Sequence, residues 1–214
     1  FSYYYTCGSG SNRLLVDSVL GDATSDLITG ATYNGVAMTL MDKQLRSAGA
    51  RWQYYFFLLN PASGSNTVAI TASGTCDLIL SGAADYINVA KSGQPDENSK
   101  AIGASTPFTS SVTTVTDRDW AILCEIGFSG ATSPIGGTGA TRRTFDGTVG
   151  SWGIFDSNGP ITPPGSYSMT TSYVTPGAGS VAHIIGAFSP ATDVVNWGVQ
   201  DPVLPPFTRG RSFR

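Results

Sequence analysis

Charge is what this chain has least of. Asp, Glu, Lys and Arg make up 13% of its 214 residues, against about a quarter in an ordinary globular domain. The formal net charge is −3 and the pI is near 4.9, so the basic excess of a nucleic-acid footprint is missing. No apolar run approaches the ~20 residues of a membrane-spanning helix, and no basic-then-apolar leader opens the chain. The first residue is Phe1, inside an apolar run, rather than Met, the mark of an N-terminus that was cut or is incomplete.

Residues that carry chemistry are equally scarce. There is one histidine, His183, and the glutamates are Glu97 and Glu125. A Ser-His-Asp triad needs its histidine beside an exposed nucleophile, and no Gly-x-Ser-x-Gly elbow supplies one. His183 stands inside the apolar run Val181 to Phe188 and reads as a strand histidine. Glycosidase chemistry needs two facing carboxylates, but Glu97 falls in a polar stretch and Glu125 in an apolar strand. Cys7, Cys76 and Cys124 are odd in number, widely spaced and outside any Cys-x-x-Cys motif. They read as buried thiols acting as small hydrophobes, which suits folding in a reducing compartment. Asp22/Asp26 and Asp117/Asp119 have the spacing of calcium ligands, although aspartates in pairs more commonly form turns. Gly136-Gly137-Thr138-Gly139 has the glycines of a phosphate loop without its lysine or its following helix. No catalytic residue, metal or cofactor is expected.

What is present is a repeat and a great deal of strand. Trp52 to Phe57 leads through Asn60-Pro61-Ala62-Ser63-Gly64-Ser65 into the alternating run Thr67 to Thr71. About a hundred residues later, Trp152 to Phe155 leads through Pro163-Pro164-Gly165-Ser166 into Tyr167 to Thr170. Two copies are too few for a solenoid or propeller; they predict two similar β-halves, about 8–95 and 105–190. Leu14 to Leu20, Arg51 to Leu59, Trp120 to Ile126 and Val181 to Phe188 should be buried strands, and Asn34-Gly35 a hairpin turn. Gly93 to Ala104 reads as a junction loop, and Met41 to Ala50 is the one short helical candidate. The fold class expected is all-β, a jelly-roll-like antiparallel sandwich of two sheets within residues 1–190.

After Pro190 the character changes. Residues 191–214 hold Pro202, Pro205 and Pro206, with Arg209, Arg211 and Arg214 at the end, which reads as an extended segment, either a disordered tail or a docking arm. Trp197, Leu204, Phe207 and Phe213 are unusually apolar for a free tail, and as an arm they would be buried against another chain or back on their own domain. With Arg209 and Arg211 they are the candidate partner-docking residues. Aromatic residues that could stack on sugar are Tyr3, Tyr4, Tyr5, Tyr33, Trp52, Tyr54, Trp152 and Tyr173, with Tyr33 and Tyr54 the candidate platform. Trp52 and Trp152 occupy matching places in the repeat and read as paired core residues.

Ser11 to Val16, Thr32 to Thr39, Leu59 to Gly64, Asp156 to Pro160 and Pro164 to Thr170 together resemble a widespread β-sandwich family. Its members occur in bacteriophage structural proteins and in secreted or surface bacterial proteins. The resemblance spans roughly residues 8 to 190 and rests on turn and strand residues, so it transfers no catalytic group. It implies a non-enzymatic virion structural protein, a capsid decoration protein or a tail or fibre component. Such a part would be assembled in the host cytoplasm from homo-oligomers, trimers being a common form, through contacts between virion subunits. The alternative is a carbohydrate-binding module of an extracellular or cell-surface protein, with a surface glycan as its partner. Neither reading involves nucleic acid or a membrane.

Overall fold

The computed structural model describes residues 1–46, 51–127, 133–146, 152–174 and 180–191, and the backbone of 198–199. The first half contributes β1 (Ser2–Cys7), β2 (Leu14–Asp22), β3 (Ile28–Tyr33), β4 (Val36–Ala37), β5 (Thr39–Leu45), β6 (Arg51–Leu59), β7 (Gly64–Ala72) and β8 (Leu78–Ile87). The second contributes β9 (Glu97–Gly103), β10 (Phe108–Thr113), β11 (Trp120–Ile126), β12 (Pro134–Gly136), β13 (Thr141–Asp146), β14 (Trp152–Asp156), β15 (Ser166–Tyr173) and β16 (Val181–Phe188). A two-residue strand, β17 (Gly198–Val199), follows. The described residues contain no helix, and every strand pairing is antiparallel.

The expected all-β sandwich is present, but with four sheets among the described residues rather than two. Their orders are β1-β7-β3-β4, β17-β8-β2-β6-β5, β13-β14-β11-β16-β9 and β10-β15-β12. Each half is a sandwich in its own right, and the two are joined through their five-stranded sheets. Three cores fill the three gaps. Tyr5, Tyr33 and Val68 of the first outer sheet meet Leu15, Val19 and Phe56 of the first inner sheet. Leu14, Val16 and Tyr55 on the other face of that sheet meet Ile122, Trp152 and Ile184. Leu123, Phe155 and Ile185 then meet Val112 and Met169 of the second outer sheet. This layering explains why β2, β11 and β16 are buried nearly throughout: a strand covered on both faces has no solvent side to alternate with.

The halves share one topology. The order β1-β7-β3 repeats as β10-β15-β12, and β8-β2-β6-β5 repeats as β16-β11-β14-β13. Each set is a double Greek key, the jelly roll. Gly64 opens β7 and Gly165 immediately precedes β15, so the repeated turn marks the same corner in both halves. The eighth strand comes from different places. In the second half it is β9, paired with β16 from Val181 to Ala187. In the first half that position is entered by the C-terminal β17, which pairs Gly198 with Ile87 and Val199 with Tyr86. Gly198 and Val199 therefore lie on the edge of the first inner sheet; Trp197, Leu204, Phe207, Arg209, Arg211 and Phe213 lie outside the described residues.

Three expectations change. The helical candidate at Met41 to Ala50 is instead strand β5 up to Leu45, held by a ladder to β6, with a register shift between Leu40 and Asp42, that overrides weak local preference; residues 47–50 lie outside the described residues. The junction loop at Gly93 to Ala104 contains β9, an edge strand whose polar, charged residues face solvent, as edges that must not recruit other chains do. Trp52 and Trp152 do not occupy matching places. Trp52 points into the core of the first half, whereas Trp152 points into the seam between the halves; in a two-residue period, one position of offset reverses the face.

Candidate functional site

His183 is fully buried on β16, between the inner and outer sheets of the second half. Its Nδ1 hydrogen-bonds with Ser110 Oγ at 2.7 Å and its Nε2 with Thr171 Oγ1 at 2.9 Å. Glu125, its ladder partner on β11, places Oε2 at 3.7 Å from Nε2. Tyr173 donates its hydroxyl to Glu125 Oε1, while Glu125 Oε2 accepts no hydrogen bond. The Phe108 ring lies 4.6 Å from the imidazole. Serine, histidine and a carboxylate therefore meet here without being close in sequence. Ser110 is buried in mid-strand, in register with Met169, so its hydroxyl satisfies the imidazole rather than facing a substrate. The arrangement ties β10 and β15 to β11 and β16.

The first half has a different buried polar set in the same kind of gap. Tyr3 donates to Asp17 Oδ1 at 3.1 Å and Ser81 to the same oxygen at 2.8 Å. Asp85 accepts from the Tyr5 hydroxyl at 2.7 Å, the Gly8 amide at 2.8 Å and the Cys7 thiol at 3.4 Å. These bonds fasten β1 to the inner sheet. Burial pushes the Asp17 carboxyl up to about 7, although the Ser81, Tyr3 and Gly82 hydrogen bonds pull the other way. Burial, with Asp85 beside it, likewise raises the Cys7 thiol well above its ordinary value, so it is no nucleophile near neutrality.

The paired aspartates do not converge on a cation position. Asp22 takes the Arg51 guanidinium, and Asp26 takes Lys43 and the Tyr54 hydroxyl. Asp117 accepts from Thr162. Asp119 is buried and shares the Thr116 amide with Asp96, at 3.4 Å and 2.9 Å respectively. Burial and then the neighbouring Asp96 push Asp119 up to about 7. Among the described residues no cluster of three His, Cys, Asp or Glu side chains could hold a metal. Gly136 to Gly139 form the β12–β13 connection: a side chain at Gly136 would strike the Ala140 carbonyl, and Gly139 has φ +69°. Those glycines serve a tight turn.

The sugar platform is corrected. Tyr33 is fully buried and donates to the Gly64 carbonyl at 2.9 Å; Tyr54 is buried and donates to Asp26 at 2.8 Å. A tyrosine whose hydroxyl finds a partner inside the core leaves its ring there. Of the eight aromatic candidates Tyr4 is exposed, at 70%, and Trp52 is half-buried. An open groove of about 620 Å³ lies beside β12 and β13, lined by Ile135, Val174, Arg142 and small residues. Arg142 spends its guanidinium on the Pro134 carbonyl at 2.5 Å and on the Phe145 ring at 3.9 Å.

What the sequence did not bring forward is the outer face of each half. The strands of the two outer sheets, β1, β3, β4 and β7 on one side and β10, β12 and β15 on the other, contain no Asp, Glu, Lys or Arg. Their outward positions are hydroxyl-rich, with Thr109 and Thr170 bonded side chain to side chain at 2.7 Å, and Ser111 and Ser168 at 2.9 Å. The low overall charge was the available signal; its placement on opposite sides of the molecule was not readable. Comparison with protein-family models, curated proteins and solved structures finds no match to this chain.

Proposed function

We propose that this chain is a non-enzymatic structural subunit of a virion, a bacteriophage capsid decoration protein or a tail or fibre component, acting through contacts between subunits. The observation that carries the reading is the pair of outer sheets with charge-free strands on opposite sides of the tandem. Covering such a face with another subunit desolvates no charge, and its hydroxyls can exchange water for partner groups, so the cost of burial is low. Interface cores are depleted of charge in the same way. A tandem with such a face at each end can be contacted from both sides. Jelly rolls recur in viral capsids and in lectins, which is support by analogy only.

Closed homo-oligomers, trimers among them, are the assembly this reading favours, with other virion subunits as partners. The C-terminal segment beyond Val199, with Leu204, Phe207 and Phe213, is a second contact element in this reading. The three free, buried thiols are consistent with folding in host cytoplasm. Native mass measurement across a concentration series, with Thr67→Lys and Ser168→Lys, tests the proposal. Both residues lie on outer faces, opposite Tyr4 and Ser111 in their ladders. Assembly that weakens at least tenfold in either variant supports it; a strictly monomeric wild-type protein that never joins particles overturns it.

A further inference from the structure

Among the described residues, the seam between the two inner sheets ends in two arginines beside one carboxylate. The Arg46 amide donates to the Arg51 carbonyl at 2.9 Å, closing the base of the β5–β6 hairpin. The two arginines are therefore cross-strand neighbours, in an arrangement where like charges repel. Both side chains enter the seam: two residues further along their strands, Gln44 and Gln53 project there and bond to the His183 and Cys124 carbonyls of the second half. Arg46 and Arg51 are only 5% and 6% exposed.

That carboxylate, Asp22, pairs directly with Arg51. Arg51 directs Nε and Nη2 to Asp22 Oδ2, each at 3.2 Å, and Arg46 Nη1 donates to the Ser180 carbonyl at 3.2 Å. Among the described residues, Arg51 Nη1 and Arg46 Nε are buried donors without an acceptor. Burial, and after it the adjacent Arg51, lowers the Arg46 pKa. A guanidinium cannot shed its proton near neutrality, and a buried charge short of both a counter-charge and an acceptor is costly.

We propose that Arg46 and Arg51 form a binding site for a small oxyanion, a phosphate, sulfate or carboxylate group, at the end of the seam. The oxyanion accepts from Arg46 Nε and Arg51 Nη1, supplies the missing negative charge, and leaves the Asp22 fork on the other edge of Arg51 intact. Guanidinium donors suit such groups by geometry as well as charge. The inference goes beyond the assembly reading and does not depend on it.

Thermal unfolding of the full chain in sodium phosphate, sulfate or acetate, each against sodium chloride at equal ionic strength, tests the site. A saturable rise in Tm is expected, about 5–10 °C with the ion near a hundred times its Kd, and its loss in Arg46→Gln and Arg51→Gln. A rise with phosphate and sulfate assigns a tetrahedral anion; a rise with acetate assigns a carboxylate. Should either variant fail to fold, calorimetric titration of the wild-type protein with the same three salts gives an independent reading. No saturable heat or no rise above chloride overturns the proposal, as does an equal rise in a folded variant.

Discussion

Replacing Trp152 with alanine would remove one of the two tryptophans buried between the two halves. The indole is 1% exposed and lies across Gly82 of β8, so closely that a methyl group there would come within 2.3 Å of Cη2. Its Nε1 donates to the Ser18 carbonyl on β2 at 2.7 Å. The ring thus joins β14 of the second half to two strands of the first. Truncating a buried tryptophan costs about 3–5 kcal/mol in transfer and cavity energy, and the lost hydrogen bond adds about 1 kcal/mol. Against native stabilities of about 5–15 kcal/mol, that is a large fraction of the total. Gly82→Ala should cost about 1–3 kcal/mol by overpacking the same spot. Combining Gly82→Ala with Trp152→Phe should cost less than the sum of the two, because the smaller ring makes room for the methyl. Equilibrium urea unfolding followed by tryptophan fluorescence and circular dichroism measures all four proteins. A loss under about 1 kcal/mol for Trp152→Ala, or strict additivity in the double variant, would show that the seam is not packed around this ring.

Stability should fall as pH rises from about 4 to about 7. Asp17 and Asp119 both titrate near 7 in the fold, so the native state keeps protons that the unfolded chain has already released, at up to about 1.4 kcal/mol per pH unit for each group. Tm measured across pH 4.5–8 should show this slope and Asp17→Asn should flatten it; a Tm that climbs with pH contradicts the sign. Below the ordinary carboxylate range the trend should reverse. There Asp26, whose burial raises it most but which the Lys43 and Tyr54 contacts together draw below the ordinary carboxylate value, loses its partners on protonation, an effect Asp26→Asn should remove from an acid-unfolding curve. Tyr33→Ala should lower unfolding free energy by about 3–5 kcal/mol, as for any large aromatic residue cut from a core, with chemical denaturation as the measure; a neutral result would place that ring outside the core.

The sequence by itself determined most of the strands, though not β5 and β9, along with the turns and the duplication. Asn34-Gly35 closes a hairpin because both residues take positive φ, 50° and 75°, and few other residue pairs do so cheaply. Gly64 and Gly165 mark one corner twice, and the doubly apolar runs of β2, β11 and β16 announce burial on both faces, because local conformation and period are written residue by residue. Only the tertiary structure decided what covers each face. A period of two tells that Tyr33 and Tyr54 share a side with other aromatics, but a tyrosine can meet water or a buried acceptor equally well, and its acceptors are strands away. The polar β9 looked like a loop because its ladder partner, β16, follows some eighty residues later. Ser110, Glu125 and His183, and likewise Asp22, Arg46 and Arg51, are brought together by strand register across sheets. Spacing along one chain does not encode that register until the sheets have formed.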